Sequence, residues 1–438
     1  MRIQVKEYKK EIICLAIVCI ASAFFLNNDD QMTIAEWGRT WWICVVENKM
    51  SLFSIMCTQA GHSINYGFIT ASLIGGCYAP VFAVEQIIGH ELSILVYAFY
   101  FKCLLIVVNF VNLYLIVNIM QRLGGDLKRA LATSFMIFVG PSVQLFSIGI
   151  GQIDAIIIML MLFGILCFID DRRILMIVCF SVAVIMKPFP VFIAVPCILY
   201  MIEKEHKLVF AAIGIPCLFY GVQWYMENSI LNYQEGKESW EFTSRLFADQ
   251  INYTSIVLVV LLVVGFCFLT QLLEKNIEKI DVIKYAGILF VAFDVLVLMH
   301  SQWYIYTFII WAIYVVATGQ TMYFQLLLLG AELGNIGYAT FLLSKINQFY
   351  IEYGIIGMLH PYGGKVLGEF LNRNLKYGFE ISHSLLSACL ILMPMICIIH
   401  KKEGAMRQPS EKMEKIMQLT SVGLTAAIES ILIVSYLV

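Results

Sequence analysis

The sequence predicts an all-α, polytopic membrane protein with about 13 transmembrane helices and a long first extracytoplasmic loop. Of its 438 residues, 60% are hydrophobic and 14% are charged, whereas soluble domains average about 45–50% apolar and about 25% charged residues. The mean hydropathy is +0.82. A net charge of −2 offers no basic surface for nucleic acid, and so apolar a chain is not disordered.

Apolar runs recur along the chain, and a membrane helix needs about 20 such residues. The runs that predict helices lie near 11–26, 93–120, 130–149, 155–169, 174–186, 189–202, 208–226, 252–271, 284–299, 304–319, 321–343, 381–399 and 418–438. Those between Gly151 and Met201 are short for a complete crossing. The first run lacks a small-residue cleavage site, so we expect a retained helix rather than a signal peptide.

Basic residues predict the orientation of these helices. If the amino terminus is cytoplasmic, most of the 29 Lys and Arg residues fall in short segments on the cytoplasmic side of the membrane. This distribution agrees with the positive-inside rule. The larger polar segments then face outward, at 27–92, 227–251 and 344–380, together with hinges around Gly151 and His300. We therefore expect an extracytoplasmic active site, because the cytoplasmic loops are too short for a nucleotide-binding domain.

The first outer segment begins with two adjacent carboxylates, Asp29 and Asp30, directly after the first helix. Trp37 follows seven residues after Asp30, and Tyr78-Ala79-Pro80 lies near the end of the segment. One interpretation is a solvated helix stop with aromatic residues at the membrane interface. The other is a general base at the membrane surface, where an acceptor hydroxyl meets a lipid headgroup.

Two polar residues, Gln152 and Asp154, interrupt the apolar sequence in the stretch Gly149-Ile150-Gly151-Gln152-Ile153-Asp154. Ionisable groups at membrane depth are costly, so they usually line a cavity or pathway. The alternative is a helix-terminus turn that satisfies its own backbone. The glycines do not form a phosphate-binding loop, since no strand precedes them.

Lys187-Pro188-Phe189-Pro190 divides a long apolar stretch into two half-length segments, because paired prolines end a helix. The charged flanks on both sides have the character of cytoplasmic loops, so the apex with Lys187 faces outward. This lysine is either a snorkelling anchor or a partner for a phosphate.

A later outward hinge carries His300-Ser301-Gln302-Trp303-Tyr304. We expect His300, Gln302 and Trp303 at the same depth as Asp154 and Lys187, as a headgroup site requires. The alternative is a structural role, which is the commoner one for a lone histidine.

Two features lie outside these segments. Arg245, in the outer segment 227–251, is either a solvated loop charge or a further partner for a phosphate. Gly330 and Gly334 have the spacing of a close helix contact, although Glu332 lies between them.

Together and in this order, the elements resemble the GT-C glycosyltransferases, multi-spanning enzymes that use polyprenyl-phosphate sugars, and especially their bacterial mannosyltransferase-like members. The shared elements are an acidic residue after the first helix with a tryptophan seven positions on, then Tyr-x-Pro, Gly-Gln-x-Asp, Lys-Pro and an outward His-x-Gln-Trp. The resemblance covers most of residues 27–304. Ser301 stands where proline is common, and Ala79 interrupts the usual Tyr-Pro-Pro.

The resemblance implies an inverting hexosyl transfer from a polyprenyl-phosphate monosaccharide to a lipid-linked or cell-surface glycan. Asp30 is favoured as the base by its spacing to Trp37, with Asp29 as the alternative. The implied substrate-binding residues are Trp37, Tyr78, Gln152, Asp154, Lys187, Arg245, His300, Gln302 and Trp303. Residues 1–207 would form the catalytic half and residues 208–438 a variable transmembrane half.

The expected partners are the sugar donor, a glycan or glycolipid acceptor and membrane lipid, with no nucleic acid. We expect a monomer in the bacterial cytoplasmic membrane. The sequence requires no cofactor, although Asp29, Asp30 and Asp154 are oxygen ligands of the kind that Mg²⁺ or Mn²⁺ accepts.

Two other functions fit parts of the sequence. Broken helices also occur in secondary transporters, such as a flippase for lipid-linked oligosaccharides, but the two halves of the chain show no internal repeat. An outer-face polysaccharide polymerase usually depends on arginines in large outer loops, and here these loops contain only Arg39, Arg245 and Arg373. We favour the monosaccharide transferase.

Overall fold

The part of the chain that the structure describes is almost entirely helical. The computed structural model describes residues 9–26, 29–61, 64, 66–229, 250–251, 254–297, 300–343, 377–400 and 411–437. Within these residues the only sheet pairs two short antiparallel strands, Gln250–Ile251 (β1) and Thr254–Ser255 (β2). The predicted all-α class is confirmed.

The helices follow one another with short connections. The first ten are α1 (Lys9–Phe25), α2 (Asp29–Val46), α3 (Phe53–Gln59), α4 (Phe68–Ile88), α5 (Ile94–Arg122), α6 (Leu127–Val139), α7 (Pro141–Val143), α8 (Asp154–Ile169), α9 (Arg173–Met186) and α10 (Val191–Lys204). The next seven are α11 (Leu208–Ser229), α12 (Ile256–Leu273), α13 (Lys279–Leu296), α14 (Tyr304–Thr318), α15 (Thr321–Leu343), α16 (Gly378–His400) and α17 (Glu411–Leu437). Single 3₁₀ turns lie at Met50–Leu52 and Ser301–Trp303, and a π-helical turn lies at Gln144–Gly149.

Each apolar run of the sequence overlaps at least one of these helices. Among the described residues, six helices are long and apolar enough to cross a membrane, or up to eight spans if each of two bent pairs counts as one. One bent pair joins Leu127–Val139 to Pro141–Gly149 at an angle of 50°. The short apolar helices α8 and α9 fall below the length of a full span. The chain is therefore a polytopic membrane protein.

The segment predicted as the first outer loop, 27–92, contains three helices. Its last helix, α4, has 21 residues with a mean hydropathy of 1.4 and thus could cross a membrane. The apolar sequence of α4 is interrupted by Pro80 and Glu85, which hides it from a search for uniform apolar runs. Glu85 is compatible with such a helix because Arg39 of α2 lies 3.4 Å from its carboxylate.

Contacts divide the chain into two compact units. The first unit comprises Met1–Asp29, Leu105–Asp154 and Met299–Val438, and the second comprises Asp30–Leu104 and Ala155–Leu298. Each unit is therefore assembled from segments that are far apart in sequence. The predicted functional division at residue 207 remains a prediction.

Close packing of α15 on α16 forms one side of the first unit. A β-carbon at Gly330 would lie 2.8 Å from Cys389 Sγ, and one at Gly334 would lie 2.7 Å from the backbone nitrogen of Leu386. Small residues allow helix backbones to approach this closely in membrane proteins. The helix contact predicted from Gly330 and Gly334 is confirmed.

In the second unit, α4 packs against α9 and α11, α10 packs against α13, and α12 packs against α13. Polar contacts join α2 to this group. Arg39 forms ion pairs with Glu85 at 3.4 Å and Glu91 at 3.3 Å, and Trp42 Nε1 donates a hydrogen bond to the carbonyl oxygen of Gly75 at 2.7 Å. These contacts fix the face that α2 presents to the rest of the unit.

Gly38 allows α2 to approach α4, and its replacement tests this packing. A β-carbon at Gly38 would overlap the ring of the fully buried Tyr78, whereas one at Gly76 would meet nothing within 4 Å. Overpacking costs about 1–3 kcal/mol, so we expect Gly38→Ala to lower the melting temperature of the purified protein in detergent. Gly76→Ala is the matched control, and equal melting temperatures for the two variants would contradict the packing of α2 on α4.

Candidate functional site

In the second unit, α2 carries two of the predicted site residues on one face. Asp30 lies in the first turn, and Trp37 follows two helical turns later, since residues seven apart point in nearly the same direction. Asp30 is exposed, whereas Trp37 is only 4% exposed. The ring of Trp37 meets that of Tyr66 edge to face, with centroids 5.7 Å apart. The side chain of Asp29 lies outside the described part of the chain.

Lys187 lies in the same unit and is 3% exposed. It caps the carboxyl end of α9 in an extended conformation, with φ −149° and ψ 141°, and the prolines after it prevent the helix from continuing. Lys187 Nζ lies 5.8 Å from the centroid of the Tyr66 ring, within the range of a cation–π attraction. Trp37, Tyr66 and Lys187 thus form one group, which we call the Lys187 cluster.

Contacts with α11 hold the segment that contains Tyr66. The backbone N–H of Phe68, at the start of α4, donates a hydrogen bond to Glu227 Oε1 at 3.0 Å, and a carboxylate there complements the positive end of the helix dipole. A β-carbon at Gly67 would overlap the side chain of Gln223. Tyr66 is not predicted from the sequence, because the only local signal of this turn is the position of Gly67 before an apolar helix.

Tyr78 is a packing residue in this structure. Its ring is fully buried and stacks on Phe101 with centroids 5.2 Å apart, and its face lies against Gly38. The hydroxyl group has no hydrogen-bond partner among the described residues. Its predicted contact with substrate stays a prediction.

In the first unit, Asp154 begins α8 and is 1% exposed. Its Oδ1 accepts a hydrogen bond from the hydroxyl group of Tyr306 at 2.8 Å. Upstream, the π-helical turn ends where the carbonyl oxygen of Ser147 accepts from the N–H groups of Gly151 and Gln152, at 3.0 and 3.1 Å. Gly151 has φ +73°, a conformation that favours glycine. Because of this turn, Gln152 and Asp154 both lie in the interior of the unit.

The His300 hinge lies in the same unit as Asp154. The rings of His300 and Trp303 meet edge to face with centroids 4.7 Å apart, and Gln302 is partly exposed. The 3₁₀ turn Ser301–Trp303 packs against both α7 and the π-helical turn. Two motifs that are about 150 residues apart in the printed sequence are therefore neighbours within this unit.

A buried hydrogen-bond network connects the His300 hinge to α7. Asn335 Nδ2 donates to the carbonyl oxygen of Ser301 at 3.1 Å and to Ser142 Oγ at 2.9 Å. Ser142 in turn donates to Glu332 Oε2 from its N–H at 2.9 Å and from its Oγ at 2.7 Å. This role of Glu332 is not predicted from the sequence, because its partner lies 190 residues away.

The possible metal ligands do not come together in a metal site within the described part of the chain. Within the described residues, no group of three or more His, Cys, Asp and Glu side chains is placed to hold a metal ion. Asp154 is bonded to Tyr306 instead. Arg245 lies outside the described residues, so its predicted contact with a phosphate stays a prediction.

The Lys187 cluster, Asp154 and the Ser142 network are polar groups buried among apolar helices. The protein is thus a polytopic membrane protein with internal polar clusters, and such clusters usually mark functional sites. Residues 77–273 match the model of glycosyltransferase family 87, a GT-C-like family of membrane glycosyltransferases. The match, which covers residues 77–273 only, indicates a membrane glycosyltransferase. No curated protein matches the sequence significantly.

The family match covers only some of the candidate residues. Tyr78, Gln152, Asp154, Lys187 and Arg245 lie within it. The carboxylates at the start of α2 precede it, and the His300 hinge follows it. The roles of residues outside the match therefore depend on the motif order and on the local geometry.

The network at Ser142 is tested by two serines of the same segment. Ser142 Oγ makes two hydrogen bonds, whereas Ser147 Oγ is buried without a hydrogen-bond partner among the described residues. Leaving a buried polar group unsatisfied costs about 1–3 kcal/mol, so we expect Ser142→Ala to lower the melting temperature and sugar transfer. Ser147→Ala should be neutral or stabilising, and the reverse order would refute the network.

Proposed function

We propose that the protein transfers a monosaccharide from a polyprenyl-phosphate donor to a glycan or glycolipid acceptor on the extracytoplasmic face of the bacterial cytoplasmic membrane. The family match supports sugar transfer within a membrane. The single observation that carries the finer proposal is the Lys187 cluster, which lies beside the helix that bears Asp30.

Lys187 is the proposed partner of the donor phosphate. A buried lysine among apolar helices is costly, and such residues usually serve an ion or substrate pathway. A charged hydrogen bond to phosphate is roughly twice as strong as a neutral one. The paired prolines keep Lys187 at a helix break, at the carboxyl end of α9. The rings of Trp37 and Tyr66 provide a rigid apolar surface beside it.

Asp30 is the proposed general base. Its carboxylate takes the proton from an acceptor hydroxyl while the hydroxyl oxygen attacks the anomeric carbon. The bond between that carbon and the phosphate oxygen breaks, polyprenyl phosphate leaves, and the configuration at the anomeric carbon is inverted. The protein mainly supplies position and a base, because phosphate is already a good leaving group. The exposure of Asp30 supports this role, since an acceptor must reach the carboxylate.

In the first unit, the proposed role of Gln152 and Asp154 is to orient polar groups of the substrates. The hydrogen bond from Tyr306 supports such a role for Asp154, because it holds the carboxylate in one orientation. His300, Gln302 and Trp303 are proposed to bind substrate at their hinge. The mechanism has no step that requires a metal ion.

The base is tested by following the release of free polyprenyl phosphate from a panel of polyprenyl-phosphate monosaccharides. General-base catalysis contributes about 10²–10⁴-fold, so we expect Asp30→Asn to lose about that factor in kcat without a change in melting temperature. Asp29→Asn is the matched control and should keep its rate. Loss of release at Asp29 alone would move the base to that residue. Tight binding of a lipid-linked oligosaccharide without any release would instead indicate a flippase or polymerase.

The phosphate partner is tested with two lysines that each lie over a tyrosine ring. Lys187 lies 5.8 Å from the Tyr66 centroid, and Lys204, at the far end of α10, lies 4.4 Å from the Tyr200 centroid. Lys187→Met should weaken donor use, seen in kcat/KM, by about 10- to 100-fold, the effect of losing one charged hydrogen bond. Lys204→Met should have no effect. Equal kcat/KM values for the two variants would rule out Lys187 as the partner.

A further inference from the structure

A cleft in the first unit lies where the first turns of three helices meet. α1, α6 and α17 all begin there, and α5 forms part of the wall. The empty volume of the cleft, with its open mouth, is about 610 Å³. The apolar wall includes Leu15, Leu113, Leu131 and Phe135, and the charged residues of the lining are Glu11, Lys128, Glu414 and Lys415.

The cleft is separate from the Ser142 network of the same unit. Lys128 lies in the first turn of α6, whereas the Ser142 network begins after its last turn. A helix of 13 residues has a length of about 20 Å. The cleft and the network are therefore at opposite ends of α6.

Two carboxylates in the cleft each have one oxygen without a donor among the described residues, although the Glu414 side chain also has a hydrogen bond with Gln325. Glu414 is 7% exposed, and its Oε1 has no hydrogen-bond partner among the described residues. Glu11 Oε2 is likewise buried without a hydrogen-bond partner in that part of the chain. Carboxylate oxygens in such a position are costly unless a donor reaches them. These two oxygens can therefore accept hydrogen bonds from a ligand that has N–H or O–H groups.

The remaining charges of the lining restrict that ligand further. Lys128 and Lys415 are both exposed, and ammonium groups of this kind bind phosphate. The cleft therefore offers two acceptors for a cation and two donors for an anion above an apolar wall. Glu414 lies close to the start of the apolar span Lys412–Val434, which is the depth of lipid headgroups.

We propose that this cleft binds a zwitterionic phospholipid whose headgroup carries a primary ammonium group. The ammonium group has three N–H donors, which satisfy Glu11 and Glu414, while Lys128 and Lys415 contact the phosphate. The acyl chains lie along the apolar wall. A quaternary ammonium headgroup has no N–H donor, and phosphatidylglycerol has hydroxyl donors but no cation, so its hydrogen bonds to the carboxylates are weaker than those of an ammonium group. The site therefore selects among lipids by the donors of the headgroup.

The test is native mass spectrometry of the full-length protein in detergent, with phosphatidylethanolamine, phosphatidylcholine and phosphatidylglycerol of identical acyl chains. We expect phosphatidylethanolamine to bind about tenfold or more tightly than the other two, the effect of one charged hydrogen bond. Glu414→Gln should remove that preference. The control Glu274→Gln, at an exposed position of the second unit, should retain it.

A second variant keeps the test decisive if Glu414→Gln fails to fold. Lys415 is exposed, so Lys415→Gln should fold normally and should weaken the binding of phosphatidylethanolamine through loss of a phosphate contact. Equal binding of phosphatidylethanolamine and phosphatidylcholine would overturn the proposal. A preference for phosphatidylglycerol would also overturn it, because it would show that the site does not require an ammonium group. Sugar transfer by these variants is a separate measurement and does not bear on the outcome.

Discussion

Carboxylates buried among apolar helices hold the irregular segments of this chain in place. Glu85 accepts hydrogen bonds from groups on α2 and α5 and from a backbone N–H after α4. Glu332 fixes α7, and Glu429 of α17 accepts from Ser22 of α1. Lipid supplies no hydrophobic force between helices, whereas a buried carboxylate without donors costs several kcal/mol. The need to satisfy these groups therefore specifies which helices become neighbours.

Much of the fold was predictable because its signals are local. Long apolar runs marked the membrane helices, the paired prolines around Phe189 marked the break at Lys187, and the glycines of α15 marked a close contact with α16. The helices within 27–92 were not predicted, because Arg39 and Glu85 make their sequences look like an outer loop. Those charges are compatible with buried helices only when they pair. The two residues are 46 positions apart, so no local sequence pattern predicts the pair.

The candidate site was predictable in its motifs but not in its supporting residues. Gln152 and Asp154 stood out as polar residues in apolar sequence, and Lys187 as a cation at a helix break. Their partners, Tyr306 and Tyr66, are ordinary aromatic residues in a chain that is 13% aromatic, so composition hides them. The family match at 77–273 includes segments of both compact units. Tertiary contact, rather than sequence order, decides which motifs work together.

The cap that Glu227 provides for α4 has a consequence for biosynthesis. The carboxylate that satisfies the N–H of Phe68 is supplied 159 residues later in the chain. A chain is synthesised amino terminus first, at about 5–20 residues per second. Glu227 is therefore synthesised roughly ten seconds or more after the first turn of α4. During this interval another acceptor, such as water or a lipid headgroup, has to satisfy the amide. Maturation of the Lys187 cluster thus follows the insertion of α11, whatever the order in which the earlier helices enter the bilayer.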